Sequence, residues 1–153
     1  MIGMKMNMRT KANVNLFSAF SKYTETNPLT ETSSKKDGFH EYREFKVNLE
    51  KDKTYTFQVK CDGTLFKHQG NGHDPSKKYF TAWVIGTDYQ SATIISIGNT
   101  SFQSGQWYAN TFRCKQTGLY FFRTNLYSDG KTAYTLHFWD IKLEEGDTPT
   151  DVN

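Results

Sequence analysis

Short stretches in which apolar and polar residues alternate recur along the whole sequence, separated by polar stretches that contain glycine. A two-residue period is that of a β-strand with one buried face. No stretch shows the three- and four-residue apolar spacing of an amphipathic helix. The pattern predicts an all-β fold, with a long loop over 21–37 and strands over 13–20, 42–49, 54–62, 79–86, 92–97, 106–114, 118–127 and 133–143.

The predicted strand 54–62 shows the alternation clearly. We expect one face to be buried, formed by Tyr55, Phe57, Val59 and Cys61. The other face, with Thr56, Gln58 and Lys60, is then expected to point outward.

The last two predicted strands are joined by Asp129-Gly130, a pair typical of hairpin turns, and we expect them to form a closing hairpin. In the second strand the apolar positions slip by one residue after Phe138, because Ile141 rather than Asp140 continues the pattern. Such a slip indicates a β-bulge at Trp139-Asp140, which would re-aim the Asp140 side chain.

Composition limits the function classes. A chain of 153 residues suits one domain, and its net charge of +3 is too small to predict nucleic-acid binding. We expect no membrane span, because no apolar run is long enough, and no signal peptide. Cys61 and Cys114 each keep step with apolar neighbours, which favours two buried thiols over a disulfide.

Residues 1–12 precede the predicted domain at 13–153. Met4, Met6 and Met8 alternate with polar residues, as in a strand. Either this segment is a frayed tail or it is an N-terminal arm that adds to a neighbouring subunit; the prediction adopted is an arm.

Many short strands without helices predict two packed antiparallel sheets. From periodicity alone, a jelly roll and an immunoglobulin-like sandwich both remain open.

Three segments resemble one family. The ending Trp139-Asp140-Ile141-Lys142-Leu143-Glu144-Glu145-Gly146 with Thr148-Pro149-Thr150-Asp151, the opening Asn15-Leu16-Phe17, and the strands within 45–57 resemble the jelly-roll domains of bacteriophage tail and virion appendage proteins, which are relatives of carbohydrate-binding modules. The resemblance covers residues 15–151 and implies a jelly-roll β-sandwich.

The resemblance also implies a structural calcium ion, which related modules hold through an Asp in the final strand and an acidic residue near the domain start. Asp140 matches the first position, whereas no carboxylate follows Asn15-Leu16-Phe17 before Glu25. A second metal candidate, His68 with His73 and Asp74, has a spacing that no strand or helix period brings together.

No enzymatic activity is predicted. His40, His68, His73 and His137 have no serine or cysteine motif beside them, and the acidic residues are scattered.

Saccharide binding requires an exposed ring and planar polar groups. If the strands at 54–62, 79–86 and 118–127 lie in one sheet, as is common in the resembling fold, their outward residues form one such face: Trp83, Tyr127, Arg123, Asn125, Gln58 and Lys60. The alternative is that this face packs against a neighbouring subunit.

The predicted function is a non-enzymatic bacteriophage virion module of the tail, baseplate or fibre that contacts a host cell-surface saccharide. Its expected partners are other virion proteins and the glycan, its location is the virion, and its assembly is a homotrimer. The alternatives are a purely structural head or collar decoration protein and the accessory carbohydrate-binding module of a carbohydrate-active enzyme.

Overall fold

The structure is a computed structural model and describes residues 13–33, 38–63, 78–99, 105–126 and 133–152, with Asn125 and several other strand residues described by their backbone alone. Within these ranges the chain forms two antiparallel β-sheets and one short 3-10 turn, Ser18–Phe20. The predicted all-β sandwich is confirmed. The described residues include no helix with the length and apolar character of a membrane span.

The strands are β1 (Leu29–Ser33), β2 (Gly38–Glu41), β3 (Val47–Leu49), β4 (Thr54–Gly63), β5 (Lys78–Gly86), β6 (Ser91–Asn99), β7 (Gln106–Arg113), β8 (Gly118–Leu126) and β9 (Tyr134–Glu145). One sheet has the order β1-β9-β4-β7. The other has the order β2-β8-β5-β6. β3 also pairs with β8, at residues 118–120, whereas β2 pairs with residues 123–126.

The core lies between the two sheets. As predicted, Tyr55, Phe57, Val59 and Cys61 of β4 are buried. The opposite sheet contributes Ala82, Val84 and Phe122, among others. The alternation along β4 therefore places one face in the core and the other on the outside of the sandwich.

The predicted closing hairpin is wrong, although both of its strands exist. β8 pairs with β2, β3 and β5, whereas β9 pairs with β1 and β4 in the other sheet. Each of the two strands already has hydrogen-bonded neighbours on both sides, so no edge is left for them to pair with each other. The Asp129-Gly130 turn lies outside the described residues.

The predicted bulge is confirmed. Gln58 is opposite Lys142 and Lys60 is opposite Trp139, so three steps along β9 match two along β4. Asp140 takes a φ of 50°, a left-handed conformation that is uncommon for a residue with a side chain. Ile141 thereby returns to the core face.

The predicted first strand over 13–20 is wrong: Leu16 N–H donates to the Leu143 carbonyl at 2.7 Å, and the Asn15 side chain makes the neighbouring bonds to β9. Its Oδ1 accepts from the backbone N–H groups of Phe17 at 2.9 Å and Leu143 at 3.1 Å, and its Nδ2 donates to the Ile141 carbonyl at 3.0 Å. The chain turns there, and both Phe17 and Phe20 enter the core.

Two further boundaries differ from prediction. The stretch 21–37 contains β1, whose inward position Glu31 is charged and hid the strand pattern. Of the predicted strand 42–49 only Val47–Leu49 is a strand, since a turn in which Phe45 N–H donates to the Tyr42 carbonyl at 3.2 Å precedes it.

Glu31 is a carboxylate inside the sandwich. It accepts hydrogen bonds from the Tyr42 hydroxyl and the Thr124 hydroxyl, both at 2.6 Å, and His40 Nδ1 lies 3.4 Å away. Burial raises the pKa of Glu31, although the two hydrogen bonds and His40 act in the opposite direction. Burial likewise raises the pKa of Tyr42, and the negative charge of Glu31 adds to the shift.

Both cysteines are buried and free, as predicted. Burial raises the pKa of the Cys61 thiol well above its ordinary value. A thiol in this environment is a poor nucleophile.

Candidate functional site

The predicted saccharide site is divided between the two sheets. Gln58 and Lys60 lie on β4 of the four-stranded sheet, whereas Trp83, Arg123 and Asn125 lie on β5 and β8 of the other. Because the inward faces of both sheets form the core, the two sets lie on opposite outer faces. The expectation of one shared face is wrong, since β7 and β9 occupy both sides of β4. Tyr127 lies outside the described residues.

On the five-stranded sheet, Trp83 and Arg123 are cross-strand partners. The Arg123 guanidinium carbon lies 4.4 Å from the centre of the Trp83 ring system, within the range of a cation–π contact. The backbone of Asn125 on β8 is paired opposite Thr81.

A second arginine extends this group. Arg43 Nε donates to Glu41 at 2.6 Å, and Arg123 Nη1 lies 3.8 Å from the other oxygen of the same carboxylate. The Arg43 guanidinium carbon is 4.6 Å from the Phe121 ring centre and 4.9 Å from that of Tyr89. The hydrogen bond to Glu41 raises the pKa of Arg43. We call this set, which comprises Glu41, Arg43, Trp83, Tyr89, Phe121 and Arg123, the arginine–aromatic cluster.

Tyr89 is the most exposed ring of the arginine–aromatic cluster. It lies in the turn between β5 and β6, with its N–H donated to the Gly86 carbonyl at 2.8 Å. Its φ of 66° is unusual for a residue with a side chain, and its exposed fraction is 60%. A left-handed aromatic residue costs about 1 kcal/mol or more and is retained where surrounding structure requires it.

Trp83 provides a further polar group. Its Nε1 atom is buried and has no hydrogen-bond acceptor in the structure as described. An unpaired buried donor is costly, by about 1–3 kcal/mol, and is uncommon in native proteins.

The opposite outer face contains a groove of about 730 Å³, which we call the Trp107 groove. Its lining consists of Gln58, Lys60, Trp107, Asp140, Pro149, Thr150, Asp151 and Val152. Trp107 of β7 is opposite Lys60 and is 47% exposed. Lys60 Nζ lies 3.3 Å from Asp140 Oδ2, so the re-aimed bulge carboxylate forms an ion pair within the groove.

Gln58 is buried in this face, and its amide group is fully engaged. Its Oε1 accepts from Trp107 Nε1 at 3.1 Å, and its Nε2 donates to Glu144 at 2.9 Å and to the Thr150 carbonyl at 2.8 Å. Thr56 and Gln58 point outward from the core as predicted, but they are not exposed, because the C-terminal segment covers both.

The C-terminal segment 146–152 is held by buried charges of β9. Glu144 accepts from the Thr150 N–H at 3.0 Å and from the Thr150 hydroxyl at 2.7 Å. Lys142 Nζ donates to the Thr150 hydroxyl at 3.0 Å and to the Asp151 carbonyl. The segment therefore forms one wall of the Trp107 groove.

The metal predictions gain no support. Among the residues that the structure describes, no three His, Cys, Asp or Glu side chains are grouped so as to hold a metal ion. The Asp140 carboxylate faces the Lys60 ammonium group, and cationic neighbours oppose calcium binding. Calcium at Asp140 stays a prediction, and His68, His73 and Asp74 lie outside the described residues.

Sequence reasoning missed Glu41, Arg43, Tyr89 and Trp107 as site residues. The first three lie in or beside turns, where periodicity gives no information. Trp107 had a signal, because its neighbour Tyr108 packs against the core and the next residue of a strand faces the other way.

The fold has known counterparts. A solved structure described as "CBM4 structure and function" matches with a TM-score of 0.57 and 16% identity over 80% of this chain and 87% of that chain. The tripod (BppUct-A-L) from the baseplate of bacteriophage Tuc2009 matches with a TM-score of 0.52 and 13% identity over 92% of this chain and 58% of that chain.

A carbohydrate-binding module (CBM6cm-2) from Cellvibrio mixtus lichenase 5A, in complex with cellotriose, is more distant, with a TM-score of 0.47 and 9% identity over 89% of this chain and 99% of that one. No protein-family model and no curated protein sequence matches the chain. The first two structures confirm the predicted resemblance at the level of the fold. This chain shares a jelly-roll fold with both, and one of them is a phage baseplate protein.

Proposed function

We propose that this protein is a non-enzymatic module of a bacteriophage virion appendage and that it contacts a host-surface saccharide through the arginine–aromatic cluster. For the virion assignment the support is the fold alone, which this chain shares with a phage baseplate protein. The observation that carries the saccharide assignment is the pairing of an exposed ring, Tyr89, with Arg43 and Glu41 on an outer sheet face.

The chemistry of this cluster suits a sugar. The Tyr89 ring offers an apolar plane to the C–H face of a pyranose, while guanidinium and carboxylate groups bind hydroxyls as donors and acceptors. Glu41 holds both arginines, so their positions are set before a ligand arrives, which lowers the entropy cost of binding.

A glycan array with the isolated protein tests the proposal. We expect the wild-type protein to bind at least one glycan on the array. Tyr89→Ala and Arg43→Gln should each lower the affinity for that glycan by about tenfold or more. Arg113→Gln is the matched control, because Arg113 is a highly exposed arginine on β7 of the other sheet, where it pairs with Asp52. An array on which no glycan is retained would favour a purely structural decoration protein.

The virion assignment is tested by gene neighbourhood. Portal, tape-measure and tail genes beside this gene would support it, whereas polysaccharide-utilisation genes would favour an accessory module of a carbohydrate-active enzyme.

The proposal includes a homotrimer in which residues 1–12 contact a neighbouring chain or a virion partner. Repetition of one weak site in an oligomer raises avidity by about 10² to 10⁴. Light scattering on the full chain and on a variant without residues 1–10 tests it, with a trimer expected for the first and a folded monomer for the second. A monomeric full-length chain at high concentration would contradict the trimer.

A further inference from the structure

We propose that the Trp107 groove, on the sheet face opposite the arginine–aromatic cluster, is a second ligand site and that it binds a neutral pyranose saccharide. The site is independent of the one proposed above, because the two lie on different sheets.

Trp107 is the platform of this site. Nearly half of its surface is exposed, yet its Nε1–H is donated to Gln58 at 3.1 Å, so the edge of the ring is held while a face stays open. A ring held in this way loses little conformational freedom when a sugar stacks on it. Gln58 touches no ligand in this arrangement and is a positioning residue.

The polar groups of the groove are a donor and an acceptor side by side. Lys60 is 39% exposed and Asp140 is 25% exposed, with 3.3 Å between their charged atoms. A sugar hydroxyl both donates and accepts, so adjacent hydroxyls satisfy both groups at once.

The charge of the groove selects against acidic sugars. Lys60 is neutralised by Asp140, and the further charged residue of the lining is Asp151, a carboxylate. Among the described residues of the lining, a saccharide carboxylate or sulfate finds no unpaired cation, and Asp151 repels it. A neutral saccharide is not repelled by Asp151, and its binding is expected to depend little on salt concentration.

The size and stiffness of the groove also fit. Its volume of about 730 Å³ is within the range of small-ligand sites, and Pro149 and Val152 supply apolar wall surface. The wall is preformed, since Thr150 is bonded to both Glu144 and Lys142.

The three tryptophans provide an internal assay, because each indole N–H reports a different place: Trp83 the arginine–aromatic cluster, Trp107 the groove, and Trp139 a buried position. Indole resonances are assigned with Trp107→Phe and Trp83→Phe. Maltotriose, cellotriose and N,N′,N″-triacetylchitotriose are then titrated into the full chain, with digalacturonate as the acidic probe.

We expect at least one neutral trisaccharide to shift the Trp107 resonance in a saturable way at up to about 10 mM, and digalacturonate to leave it unmoved. Both Trp107 variants lack the reporting indole, so their binding is followed by the backbone amide resonances of the groove; Trp107→Ala should weaken it about tenfold or more, and Trp107→Phe less. Leu119→Ala is the matched control, because Leu119 is equally exposed at 47% but lies on the other sheet.

The outcomes separate this proposal from the first. A shift at Trp83 alone supports the arginine–aromatic site and overturns the groove, whereas a shift at Trp107 alone does the reverse. No shift at Trp107 with any probe overturns the second site, and a shift with digalacturonate alone overturns its ligand class.

Discussion

Thr124, on an inner strand of the five-stranded sheet, donates a 2.6 Å hydrogen bond to Glu31 on an edge strand of the other sheet. The bond crosses the interior of the sandwich at a carboxylate whose pKa is raised chiefly by burial. The folded state therefore binds the Glu31 proton more tightly than the unfolded chain does. The contribution of this group to stability is full below the ordinary glutamate pKa and is lost as the pH rises toward the raised value.

Glu31→Gln removes this dependence. As the pH rises from about 4.5 to 7, wild type should lose stability relative to the variant. The difference between their free energies of unfolding should change by about 1.4 kcal/mol for each unit by which the pKa of Glu31 is raised. Urea unfolding over this pH range measures it. Glu25→Gln is the control, since Glu25 is exposed, and parallel curves for wild type and Glu31→Gln would contradict the prediction.

Gly63→Ala should be strongly destabilising. Gly63 has a φ of 124°, and an added Cβ would lie 2.3 Å from the Thr135 carbonyl oxygen of β9. We expect a loss of about 2–4 kcal/mol in the free energy of unfolding. Gly118→Ala has open space around its Cβ position and should change stability by less than about 1 kcal/mol. Equal effects of the two changes in thermal unfolding would refute the steric argument.

Glu144→Ala should release the C-terminal segment. The change leaves the Gln58 amide, the Thr150 N–H and the buried Lys142 without their carboxylate partner, at a cost of about 3–5 kcal/mol. Glu145→Ala, one residue along and 61% exposed, should cost less than about 1 kcal/mol. Denaturant unfolding gives both values, and proteolysis after residue 145 should accelerate only in Glu144→Ala.

Asn15→Ala tests the turn that replaces the expected first strand. Loss of the bonds to Phe17, Leu143 and Ile141 should destabilise the protein by about 2–3 kcal/mol. Asn15→Asp keeps both accepted bonds and loses the donated one, so its cost should be intermediate. If the two variants are equally stable, the accepted bonds contribute little.

The sequence predicts those features of the fold that depend on the residue pattern within a single strand. The buried face of β4 and the bulge at Asp140 follow from local alternation and its slip, and both are confirmed. The partner of each strand does not follow, because a turn such as Asp129-Gly130 limits the chain direction but not the neighbour that a strand finally meets. The predicted hairpin fails for this reason.

The same limit explains the divided site. Alternation correctly turned Lys60 and Arg123 away from the core, but only the pairing shows that they lie on opposite sides of the sandwich. The arginine–aromatic cluster depends on turns that fold back over the sheet, and the position of Tyr89 depends on a left-handed φ that its residue type does not suggest.

The strand order of the four-stranded sheet has a consequence for how the chain folds. No two neighbouring strands of this sheet are consecutive in sequence. Among all the described strands, β5 and β6 are the one pair that is adjacent both in sequence and in a sheet. Folding of such a topology is slow, because long loops must close before their contacts form. During synthesis, β1 has no partner in this sheet and β4 can pair only with β7 until β9 is made, so the four-stranded sheet stays incomplete until residues 134–145 have left the ribosome. In that interval the unpaired edges of its apolar strands favour aggregation.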